Sequence, residues 1–86
     1  MDIKLLLLEM MQEKLDRFSI HSYEINDKFD FVKSGLLNSL EFIDLVASIE
    51  KKLGIEIDFE TALESGDFTT MHGMINTIKN HLNGKS

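Results

Sequence analysis

The chain has 86 residues, 43% of them hydrophobic, and a mean hydropathy of −0.07, which suits one small folded domain over 1–86 and excludes a cleft between two lobes. It contains no cysteine, so disulfide staples and thiolate metal sites are excluded too. The formal net charge is −6, and all of it lies in residues 39–67, an acidic stretch that repels nucleic acid and favours a partner with a basic surface.

From Asp2 to Phe18, the residues Leu8, Met11, Leu15 and Phe18 recur in steps of three and four. This predicts one amphipathic helix, its apolar face widened by Leu5, Leu6, Leu7 and Met10. The run IKLLLLEMM contains Lys4 and Glu9 and falls far short of the ~20 apolar residues that span a bilayer. It also lacks a small-residue cleavage site, so a cytoplasmic location with no membrane span is expected. Residues 19–38 lose the period yet keep Ile20, Tyr23, Ile25, Phe29, Phe31 and Val32, which predicts an ordered loop pinned to the core. Ser39–Leu53 reads as the clearest helix: Phe42, Leu45, Val46, Ile49 and Leu53 form its buried stripe, charged residues cover the opposite face, and Gly54 ends it. IEIDF alternates like a strand, but no other segment offers it a partner, so an extended linker is expected. Asp58–Glu64 predicts a short helix broken at Ser65-Gly66. Thr69 or Thr70 then caps a last helix with Met71, Met74, Ile75, Ile78 and Leu82 on its apolar face. The expected fold is all-α: a small four-helix bundle of three longer helices and one short one, with a long first loop.

Most candidate chemistry falls away on spacing. The NGKS tail lacks the upstream glycine of a phosphate-binding loop. His72 and His81 are nine residues apart, more than two helical turns, and His21 is remote from both, which does not suit a metal ion. NDKFDF lacks the glycine and distal glutamate of a calcium loop. Glu41 and Asp44 share a helical face, but no enclosing pocket is expected that would drive their pKa values apart, so a solvated face is the simpler reading.

Ser39 stands at the start of the acidic helix, in SGLLNSLEF. Serine is a preferred N-cap, worth about 1 kcal/mol, but Asn38 can cap as well. A helix start also suits a phosphate esterified to the serine oxygen, because free N–H groups and the positive end of the helix dipole face it.

With those residues in view, SGLLNSLEFIDLVASIEKKLGIEI resembles the core of acyl carrier proteins, whose signature is Asp-Ser-Leu at the start of the second helix. The likeness extends to FDFVKSGLL in the long loop and FTTMHGMINTIKNHL as the last helix. It implies a non-catalytic carrier, in which Ser39 receives a covalent 4′-phosphopantetheine arm from coenzyme A and an acyl or aminoacyl group rides on the arm as a thioester. The absent cysteine fits, because the thiol would be imported. The resemblance also implies docking of partner enzymes at Asn38, Leu40, Glu41, Asp44 and Glu50. Those partners would be a holo-synthase or other phosphopantetheinyl transferase, and acyl- or aminoacyl-loading and acyl-transfer enzymes with basic surfaces, met by a monomeric carrier. Asn38 stands where aspartate is usual, Lys51 and Lys52 where acids are common, and Ala47 where methionine is usual. The Gly-Leu-Leu-Asn-Ser-Leu form is similar to dedicated stand-alone carriers, including the D-alanyl type. The alternative is an unmodified helical interaction module in which the acidic helix binds one basic partner. An enzyme ranks third, since no nucleophile–base pair or metal set is visible.

Overall fold

The computed structural model describes residues 2–83; Met1 and Gly84–Ser86, most of the NGKS tail, lie outside the described residues. These form α1 (Ile3–Met10), α2 (Gln12–Arg17), a 3-10 turn (Ser22–Glu24), α3 (Ser39–Leu53), α4 (Phe59–Glu64) and α5 (Met71–Asn83). The fold is the expected small all-helical bundle, with α1 packed against α5.

The single first helix is corrected to two. Met11, with φ −102° and ψ 4°, interrupts it, and its N–H is shared between the carbonyls of Leu7 and Leu8 at 3.1 and 3.2 Å. The buried row is Ile3, Leu7, Met11 and Leu15. Each step of four overshoots a 3.6-residue turn by about 40°, so a straight helix would swing this row off the core; the break re-aims the second segment. The expected face shifts accordingly. Leu8 is half-buried, and Phe18 is exposed where the chain leaves α2 and reverses through Ser19 at φ 55°.

The loop after α2 is pinned as its apolar content demands: Ile25, Phe31, Leu36 and Leu37 are buried. It is also tied by backbone to the start of α5. Phe31 N–H donates to Thr69 O at 2.8 Å and Met71 N–H to Phe29 O at 2.9 Å, flanking an antiparallel bridge between Asp30 and Thr70. Tyr23 departs from the expectation. It is 82% exposed and stacks on His21 with ring centroids 5.0 Å apart.

In α3 the buried residues are Phe42, Val46 and Ile49, with Leu45 and Leu53 half-buried, and Gly54 closes the helix in the left-handed region at φ 67°. Ile55 and Ile57 then point inward from an extended linker. Asp58 caps α4 by accepting from Thr61 N–H, and Thr70 is the threonine that serves α5, its Oγ1 accepting from Gly73 N–H at 3.0 Å. Under the start of α3 the rings of Phe42, Phe59 and Phe68 meet edge-to-face with centroids 5.4–6.2 Å apart. Such pairs contribute about 0.5–1.5 kcal/mol each beyond area burial, so this end of the bundle is held firmly.

Candidate functional site

Ser39 is positioned from both sides. Leu36 and Leu37, each 4% exposed, anchor the chain before it, and Leu37 N–H donates to Phe31 O at 2.9 Å. Phe42 anchors the first turn after it. Between these anchors, Asn38 takes the cap: its Oδ1 accepts from Glu41 N–H at 2.8 Å, while Glu41 Oε1 accepts from Asn38 N–H at 3.0 Å, a reciprocal capping box. The question of which residue caps is thereby resolved. Ser39 is the first helical residue, exposed, with a hydroxyl that makes no hydrogen bond among the described residues.

Two backbone donors remain open there. The N–H groups of Ser39 and Leu40 donate to nothing among the described residues, and they stand at the N-terminus of a 15-residue helix. An anionic phosphodiester on Ser39 Oγ would meet both these donors and the helix dipole. Beside the serine lies a groove of about 220 Å³, lined by Val32, Phe42, Ile43, Phe59, Leu63 and Thr69. Leu40 is 74% exposed, and Ile43 and Leu63 are each 47% exposed, so the surroundings of Ser39 are largely apolar. The residues present therefore fit an arm of phosphate followed by a weakly polar chain.

The acids expected to dock partners are differently placed. Glu41 is engaged on both oxygens, because Oε2 is ion-paired to Lys14 of α2. Its carboxyl is held below the ordinary value first by the Lys14 hydrogen bond and then by the Asn38 N–H. Asp44, one turn on, is exposed and makes no hydrogen bond or ion pair among the described residues. Glu50 is not brought together with them. Nine residues at about 100° each put it on the opposite side of the helix from Glu41. There its Oε2 accepts from Ile57 N–H at 2.8 Å and holds the linker to α4. Sequence reasoning missed Lys14 altogether, since nothing local signals a contact with a residue 27 positions away.

Residues 6–71 match the family described as a phosphopantetheine attachment site. No curated protein and no solved structure matches the chain. The match covers well over half of the chain, which therefore belongs to the phosphopantetheine attachment-site family. It is a carrier protein, not an enzyme, and the family carries 4′-phosphopantetheine covalently, which sets aside the unmodified interaction module. No helix among the described residues is long and apolar enough to cross a membrane.

Proposed function

We propose that Ser39 is the attachment residue and that the protein is a cytoplasmic, monomeric carrier of an acyl or aminoacyl group. The observation that carries this reading is an exposed, unbonded serine hydroxyl at the first position of a rigidly anchored helix, in a chain of this family. When bound, the arm supplies a terminal thiol on which the cargo is held as a thioester. In loading, Ser39 Oγ forms a bond to phosphorus as a P–O bond of the coenzyme A pyrophosphate breaks and the adenosine bisphosphate leaves. The hydroxyl proton would pass to a base of the transferase, since no titratable side chain among the described residues bonds Ser39 Oγ. The N–H groups of Ser39 and Leu40 would then hold the phosphodiester, and the groove along Ile43, Phe59 and Leu63 would offer the arm or its cargo an apolar resting place.

Docking is proposed to centre on Asn38, Leu40 and Asp44, with Glu41 reached only by displacing Lys14 and Glu50 adding charge but no contact. Weak electrostatic attachment speeds encounter and allows quick release, which suits a carrier that visits several enzymes. A broad-specificity transferase with coenzyme A should add one phosphopantetheine mass. Fragmentation of the peptide Ser34–Lys51 should assign it to Ser39, while assignment to Ser34 or Ser48 would overturn the reading.

A further inference from the structure

Lys14 reaches from α2 to α3 at a groove of about 240 Å³ that it lines together with Met10, Met11, Leu37 and Leu45. Its ammonium ends on Glu41 Oε2, and the two side chains are 27% and 34% exposed. On the same rim, Asp44 has no such partner among the described residues. Glu41 is thus neutralised from within and held in the rotamer that completes the cap of Asn38, whereas Asp44 presents its full charge to solvent. A cation approaching Glu41 from another protein finds an ammonium already in contact and must displace it.

We infer that Lys14 is a specificity-determining residue that competes with partner enzymes for Glu41, leaving Asp44 as the acid they read first. This rests on the docking reading above. Its consequence is a carrier whose attraction for basic partners is reduced by its own α2. The enzymes favoured are those able to displace the ammonium, which a guanidinium forked onto the carboxylate does better than a second ammonium.

The test is steady-state modification of the apo carrier by one phosphopantetheinyl transferase with coenzyme A, reading KM for the carrier and kcat separately. Lys14→Met keeps the apolar stem and should lower KM about two- to fivefold, the range set by the strength of a partly exposed ion pair, with kcat unchanged. Lys14→Arg keeps the pair, and because a guanidinium holds a carboxylate at least as well, its KM should equal or exceed that of the parent and should not fall. Lys51→Met removes the same charge from an exposed site outside the pair and controls for net charge; it should move KM by less than half as much. An unchanged or raised KM for Lys14→Met, a fall in its kcat, or an equal effect of Lys51→Met would overturn the inference. Asp44→Asn separates the two readings. A raised KM there with no effect at Lys14 leaves acidic docking standing and refutes the competition, whereas no effect at Asp44 removes the docking reading itself. Circular dichroism melts of every variant, with Lys14→Gln as a second replacement, keep loss of fold from being read as loss of affinity.

Discussion

At the scale of single residues, a few contacts decide how Ser39 is presented. Asn38 caps α3 as well as aspartate would, so Asn38→Asp should leave the melting temperature nearly unchanged. A transferase that reads a carboxylate before the serine gains a charge-assisted contact worth roughly 1.5–3 kcal/mol, so it should modify that variant about ten- to a hundredfold faster. Equal rates would mean that the carboxylate is not read. Glu50 has a different duty: Glu50→Ala would strip the acceptor from Ile57 N–H and should cost about 1–3 kcal/mol in urea unfolding, whereas Glu50→Gln retains an oxygen and should cost less. If both are silent, the linker does not depend on that bond. Gly73 is a third such position. A Cβ there would lie 1.9 Å from Asp67 O, a backbone atom that cannot step aside, so Gly73→Ala should destabilise toward the upper end of the ~1–3 kcal/mol range for overpacking despite alanine's better helix propensity. The glycine gave no warning in the sequence, because close approach of two segments has no local signature.

Among the elements, the tie between the first loop and α5 contributes a pH-dependent share of stability. Burial pushes the Asp30 carboxyl up, but the Lys33 N–H, the Thr69 hydroxyl at 2.8 Å, the Val32 N–H and the charge of Lys33 together hold it below its ordinary value of 3.8. A depressed carboxylate stabilises the fold above its unfolded pKa, and that contribution is lost as pH falls through the folded one. Thermal melts between pH 6 and pH 3 should therefore show a smaller acid loss for Asp30→Asn than for the parent, with Glu41 and Asp58 supplying part of what remains. An identical loss would show that Asp30 is not among the groups responsible. The periodic helices, α3 and α5, and the alternating linker at Ile55 and Ile57 were legible because their own side chains define the buried face. The break at Met11 was not, since it arises from fitting a row of four-residue steps to a core built from distant segments. The loop's attachment to Thr69–Met71 was legible only as a demand that its apolar residues be buried, with no hint of where.

For the molecule as a whole, one end of the bundle combines firm anchoring with openness: an aromatic cluster and two buried leucines hold a serine whose hydroxyl and neighbouring N–H groups make no hydrogen bond among the described residues. The position and type of that serine could be read from SGLLNSLEF, and its unbonded hydroxyl follows from the local cap by Asn38, but the Lys14–Glu41 pair exists only once α2 comes up to α3. Everything proposed for this end of the bundle depends on this hydroxyl taking the phosphopantetheine arm. The most direct measurement is intact mass of the wild-type chain and of Ser39→Ala after incubation with coenzyme A and a broad-specificity transferase. A single phosphopantetheine should be added to the wild type and none to the variant, with both proteins folded by circular dichroism. An adduct that persists in Ser39→Ala, or none on the wild type with several transferases, would contradict it.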